Sequence, residues 1–118
     1  MKYAIIFDTE TTGLALPPSV ELEKQPHIIE FGAAKVYEDG SVSELNGLYN
    51  PGFKVSEEIT KITGITNEQL ADQPALSSDI QFIYDLMSGA SMVVAHNLEF
   101  DKAMIDIEMK RHKLHPLP

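Results

Sequence analysis

A short apolar run ending in two acids one residue apart constrains this chain more than anything else in it. Ala4-Ile5-Ile6-Phe7 reads as a buried strand. Asp8-Thr9-Glu10 follows directly, and Thr11-Thr12-Gly13 then breaks the strand. Strand side chains two apart face the same side. Asp8 and Glu10 would therefore point together from the carboxyl end of a central strand. Two such carboxylates repel each other, and a hard divalent cation with oxygen ligands relieves that repulsion. The plainer alternative is a strand end with solvated acids. Gly13 lets the backbone turn tightly or come close to a ligand.

Bulk properties limit the choices. At 118 residues the chain is enough for at most one domain, and 43% hydrophobic content supports a core. Without cysteine there is neither a disulfide framework nor a cysteine-ligated zinc. No apolar run approaches the length of a membrane span and no signal peptide is visible, so the expectation is a cytoplasmic protein without a membrane partner. The net charge of −9 argues against a protein that coats nucleic acid non-specifically. It leaves room for a nuclease that grips a few phosphates through bound metal. Lys102, Lys110, Arg111 and Lys113 crowd the C-terminal stretch, as favourable charge at a helix end or as a DNA patch.

Along the chain, residues 14–26 read as a long loop bordering the acids. Residues 28–37 and 42–49 read as two strands joined by a hairpin turn at Glu38-Asp39-Gly40-Ser41, the second of them nearer an edge. Ser56-Glu57-Glu58 starts a short helix that Thr63-Gly64 ends, and Thr66 with Gln69 has capping-box spacing. Pro74 opens a longer helix to Ser88-Gly89, with Leu76, Ile80, Ile83, Tyr84 and Met87 as its core face. Ser91–Ala95 reads as a short central strand parallel to the first. A last helix runs from Leu98 to about Lys113, with Phe100, Ala103, Met104 and Ile107 on one face and Pro116 and Pro118 marking its end.

His96-Asn97-Leu98-Glu99-Phe100-Asp101 is the second informative stretch. In α/β sheets ligands gather at the carboxyl ends of strands, and both acid stretches sit at such ends. Asp101, in the first turn of the last helix, could reach a metal held by Asp8 and Glu10. Alone, an acid in that position serves the helix dipole.

Phe7-Asp8-Thr9-Glu10-Thr11-Thr12-Gly13-Leu14 resembles the first motif of the DnaQ-like (DEDD) superfamily of proofreading-type 3′-to-5′ exonucleases. His96-Asn97 with Phe100-Asp101, directly after a strand, is similar to the second motif, and Thr60 to Thr66 resembles a T-x-x-T-G-I segment near the nucleotide pocket. That last segment also reads simply as a Gly-terminated helix. The D-x-D-x-T motif of the haloacid-dehalogenase phosphotransferases fits less well, because the second acid is Glu10 and no lysine-bearing helix follows at a convincing place.

The resemblance implies an α/β, ribonuclease-H-like mixed sheet in the order 3-2-1-4 with flanking helices and the fifth strand missing. It implies a single exonuclease-like domain over residues 1–118, C-terminally incomplete. The third motif, a histidine five residues before a last aspartate, is not found after Asp101. His96 and Asp101 have that spacing themselves, but Asn97 and Phe100 match the second motif. His96 is then no general base and instead shapes the strand end or contacts substrate. The parent activity is hydrolysis of terminal phosphodiesters of DNA or RNA to nucleoside monophosphates, in replication and repair. Asp8, Glu10 and Asp101 would be catalytic and would hold Mg²⁺ or Mn²⁺ in a two-metal site. Thr9, Thr11, Thr12, Gly13 and Leu14 would border the terminal nucleotide, with Thr63, His96, Asn97 and Phe100 also contacting substrate. The implied partners are a nucleic acid with a 3′ end, single-stranded DNA favoured, and a DNA polymerase. Without the third motif this chain alone is expected to be weak or inactive. Two other classes stand beside this reading: a non-catalytic binding module of a polymerase or repair complex, and a phosphotransferase using Asp8 as nucleophile.

Overall fold

The computed structural model describes residues 1–115. Pro116 and Pro118, expected to close the last helix, lie outside them. Strand β1 (Tyr3–Thr11) continues through both acids. Ile5, Phe7, Thr9 and Thr11 are buried along one side, while Asp8 is exposed and Glu10 half-buried on the other. The period of two therefore holds to the end of the strand and puts the two acids on one face.

β1 pairs antiparallel with β2 (Ile28–Tyr37), which pairs antiparallel with β3 (Val42–Leu48). β4 (Met92–Val94) runs parallel to β1, giving the order β3-β2-β1-β4. The ladder slips between Glu10, opposite Glu30, and Thr11, opposite Ile28. This bulge leaves Ile29 unpaired with β1 and changes the phase of β2. Ile28 joins Phe31 and Ala33 in the main core, while Ile29 joins a second cluster with Val55, Ile65 and Leu70.

That second cluster anchors α1 (Glu57–Thr63) and α2 (Asn67–Ala71). Ser56 caps α1, and Gly64 ends it at φ 78°, a left-handed conformation that suits glycine. Thr66 and Gln69 form the expected capping box. The main core packs α3 (Ile80–Ser88) and α4 (Leu98–Arg111) against β1 and β2 through Ile5, Phe7, Phe31, Ile83, Met104, Ile105 and Met109. No helix among the described residues is long and apolar enough to cross a membrane.

Three expectations need correction. The helix opened by Pro74 starts later: Leu76–Ser78 form a 3₁₀ turn, and α3 begins at Ile80. Asp79 offers no side-chain cap there, because its carboxylate accepts from the Tyr49 hydroxyl at 2.8 Å. β4 is not central among the described strands; it pairs with β1 alone, over Ala4–Ile6, and stands at the sheet edge. On α4 the buried stripe is Asp101, Met104, Ile105, Glu108 and Met109, whereas Phe100, Ala103 and Ile107 are only partly buried. The stripe keeps helical spacing, but two of its members are acids that find donors in the interior.

Met104 is fully buried beneath the sheet, whereas Phe82 is 56% exposed on α3. Met104→Ala should lower the unfolding free energy by about 2–5 kcal/mol through lost contacts and a residual cavity. Phe82→Ala should change it by about 0.5 kcal/mol or less. Urea titrations followed by far-UV circular dichroism check both, and equal losses would contradict this core assignment.

Candidate active site

The end of β1, the start of α4 and one face of α1 enclose a cleft of about 310 Å³. Asp8, Glu10 and Asp101 all line it, with Thr9, Thr11, Gly13 and Leu14 from the first motif. Thr63, His96, Asn97 and Phe100 line it as well, so every expected residue but Thr12 borders the cleft. Ile59 and Ile62 of α1 line it too and were not expected from sequence. Their signal was available in the spacing of Ile59, Ile62 and Thr63 along one helical face.

Thr12 lies outside this cleft, against a neighbouring hollow shared with His27 and Phe53. Its amide donates to the His27 carbonyl, and its hydroxyl accepts from the His27 amide, both at 2.9 Å. Thr12 thus pins the first-motif turn to the start of β2. Thr11 works within the turn, its hydroxyl donating to the Gly13 carbonyl at 2.6 Å.

Thr9 faces the interior, where its hydroxyl donates to Asp101 Oδ1 at 2.6 Å and its amide reaches the same oxygen at 3.3 Å. Both residues are buried. A strand threonine and the helix acid hold each other in place, and that bond docks the first turn of α4 on β1. Asn97 is the N-cap of α4: its side-chain oxygen accepts from the Phe100 amide at 3.3 Å.

Asp8 and Glu10 occupy the other face of the strand. Glu10 lies opposite Glu30 in the ladder, and Glu30 accepts from the Asn46 side-chain amide at 3.0 Å. Burial pushes the Glu10 carboxyl above its ordinary range, and the charges of Asp8, Glu30 and Asp101 push it further. Glu30 was not anticipated; the strand register reveals it, and sequence spacing does not.

The three acids share a cleft, yet among the described residues no group of three or more His, Cys, Asp or Glu side chains is gathered closely enough to hold an ion. Asp101 sits on the Thr9 side of the strand, with one oxygen engaged there. The donor chemistry nonetheless suits a hard cation: the acids are oxygen donors, and Glu10 is raised first by burial and then by the neighbouring charges of Asp8, Glu30 and Asp101.

The strand order, with helices flanking a mixed sheet, is that of the ribonuclease-H-like exonuclease fold. The family model described as Exonuclease (RNase_T) matches residues 5–118, and the chain belongs to that family. Exonucleases of this family generally use divalent metals. The chain is 30% identical over 110 residues to the PolC-type DNA polymerase III of Streptococcus pyogenes, and 33% identical over 107 residues to that of Caldanaerobacter subterraneus subsp. tengcongensis. These alignments cover 93% and 91% of this chain and 7% of each polymerase. The fold is similar to that of E. coli exonuclease I solved with a dT13 oligonucleotide, at a TM-score of 0.78 and 17% identity over 98% of this chain and 25% of that one. Exonuclease X, solved with a 5′-overhanging duplex DNA, aligns at a TM-score of 0.65 and 28% identity over 86% of this chain and 53% of that one.

The folded value of Glu10 lies above the unfolded one, so this group favours folding at pH below its unfolded value. That contribution is lost as pH rises through the folded value. A carboxyl-carbon NMR titration of metal-free protein should place Glu10 above the ordinary glutamate range. Asp8→Asn, which removes one of the repelling charges, should bring it down. An unchanged Glu10 titration in Asp8→Asn would show that the two acids do not share a field.

Proposed function

We propose that this chain is a metal-dependent 3′-to-5′ exonuclease module that hydrolyses the terminal phosphodiester of single-stranded DNA and releases nucleoside monophosphates. The observation that carries the reading is the cleft itself, where Asp8, Glu10 and Asp101 stand beside the apolar side chains of Leu14, Ile59, Ile62 and Phe100. Acids suit the phosphate end through a cation, and apolar side chains suit an unstacked base. A volume of about 310 Å³ lies at the low end for small-ligand sites and favours one terminal nucleotide.

Asp8, Glu10 and Asp101 would hold Mg²⁺ or Mn²⁺. Asp101 would serve through Oδ2, since Oδ1 accepts from Thr9. When bound, the metal supplies Lewis-acid stabilisation of developing charge and a water of lowered pKa. The chain's own residues do the rest. Thr9 holds the Asp101 carboxylate in place. Leu14, 79% exposed at the cleft mouth, and Phe100 at its wall hold the terminal base away from its neighbour. Thr63 borders the same pocket, although its hydroxyl donates to the Ile59 carbonyl within α1. His96 lines the cleft from the end of β4 and contacts substrate.

A DNA polymerase is the proposed partner, in keeping with the relatives whose chains carry a matching segment. We also propose that this chain alone is slow. Among the described residues lining the cleft, His96 is the sole histidine, and it belongs to the strand-end motif rather than to a base facing a bound water. General-base help is typically worth about 10²–10⁴-fold.

A single-stranded oligonucleotide labelled at its 5′ end, incubated with Mn²⁺, tests the proposal. Shortening from the 3′ end should be slow, with monophosphates released, and Asp8→Ala should abolish it. A circular single strand of the same sequence should survive. Cleavage of the circle as fast as the linear strand would contradict the exonuclease reading, as would shortening that persists in Asp8→Ala. Rapid turnover by the wild-type chain would contradict the slow-module reading alone.

A further inference from the structure

A densely bonded charged group among the described residues lies outside the acid cleft, at the C-terminal end of α4. The Arg111 Nη1 donates to Glu108 Oε1 at 2.6 Å and lies 3.2 Å from His27 Nδ1. Its Nη2 donates to the carbonyls of Leu22, Gln25 and Pro26 at 2.9, 3.1 and 3.2 Å. Glu108 is 1% exposed, and its Oε2 accepts from the Ile28 amide at 3.0 Å, at the first residue of β2. One helix turn therefore grips the end of the 14–26 loop and the start of the strand that follows.

The loop carries this grip forward. The buried Gln25 side chain accepts from the Leu16 amide at 2.9 Å and donates to the Leu16 and Pro17 carbonyls at 3.2 and 3.0 Å. Arg111 holds the backbone of Gln25, and the side chain of Gln25 holds Leu16 and Pro17, two and three residues beyond Leu14. Thr12 is fixed on the other side of Leu14 by its pair of bonds to His27. Leu14 itself is exposed and has little packing to hold it, so its placement at the cleft mouth comes from the bonds on both flanks.

We infer that Arg111 is a positioning residue for the nucleic-acid strand: with Glu108 and Gln25 it clamps the 14–26 loop to α4 so that Leu14 stands fixed at the mouth of the acid cleft. The same helix carries Asp101 at its other end, so one rigid element sets both the acid and the rim. This role rests on the proposed nuclease function for its substrate, but not for its mechanics. Arginine is suited to it because its planar fork reaches several acceptors at once, which a lysine ammonium on a flexible stem does not reproduce. A loop held in its competent form only a tenth of the time binds its ligand about tenfold more weakly.

The test uses the full chain, with Arg111→Lys on the helix side and Gln25→Leu on the loop side. Either variant alone suffices should the other fail to fold. In both, affinity for a 3′-fluorescein-free, 5′-labelled single-stranded oligonucleotide with Ca²⁺ present should fall about tenfold. Mn²⁺ affinity, read by electron paramagnetic resonance, should stay within about twofold of wild type. Amide exchange at Leu16 should accelerate in both. His27 supplies a separate signature: arginine only donates, so Nδ1 accepts and the ring proton sits on Nε2. Nitrogen NMR should find that tautomer in wild type with the Nδ1 resonance shifted by the accepted bond, and should lose that shift in Arg111→Lys. Wild type that binds no oligonucleotide would sink the nuclease reading, while the exchange and tautomer results would still judge the clamp. Unchanged Leu16 exchange, unchanged oligonucleotide affinity, or an equal fall in Mn²⁺ and oligonucleotide affinity would overturn the clamp.

Discussion

Everything in this molecule that bears on chemistry depends on how two buried acids of α4 find donors in the interior. Asp101 is held by the Thr9 hydroxyl and amide, and Glu108 by the Ile28 amide and Arg111. A buried carboxylate without partners is costly, so each bond is a strong restraint on where its residue can sit. They lie two helical turns apart on one face of α4, with Met104 and Ile105 between them in the main core. Together they fix both the rotation of the helix and its position along β1 and β2. The placement of Asp101 beside the acids of the first motif follows from that docking.

The strand contributes a different kind of order. Its pleat sends Thr9 inward to the helix and Asp8 and Glu10 outward, so one tripeptide serves structure on one face and charge on the other. The bulge after Glu10 turns Ile29 toward the second cluster, and that cluster anchors α1, which supplies Ile59 and Ile62 to the cleft. A one-residue irregularity thus brings an apolar wall to an acidic strand end. On the outward face Glu30 joins Asp8 and Glu10 as a third carboxylate, so the site concentrates negative charge in a chain already at −9. Binding a polyanion there is unfavourable unless cations intervene, which accords with the divalent-metal chemistry of the family.

Most of the fold was legible in the sequence because its signals were local. The strand at Ala4–Phe7, the hairpin around Gly40, the capping box at Thr66 and the glycine stop at Gly64 each declare themselves within a few residues. The strand order followed from the chain order together with a recognisable motif. Of the residues expected at the site, all but Thr12 line the cleft, Thr12 turning to His27, whereas Ile59 and Ile62 line it without having been expected. What sequence could not display depends on contacts distant in the chain. The buried face of α4 was misread by one position because acids are ordinarily solvated, and only Thr9 and Ile28, some 80 to 92 residues away, explain why they are not. Arg111 looked like simple helix-end charge for the same reason: its acceptors are carbonyls of a loop more than 80 residues earlier. Glu30 came into the site through strand register alone.

The central proposal is that the carboxylates of Asp8, Glu10 and Asp101 together hold a divalent metal. Crystals grown with saturating Mn²⁺, with diffraction collected at the manganese absorption edge, test it most directly. The account predicts an anomalous peak in the cleft, ligated by oxygens of Asp8, Glu10 and Asp101, with the Thr9–Asp101 bond still in place. A peak located elsewhere, or an acid cleft that stays empty at saturation, would contradict it.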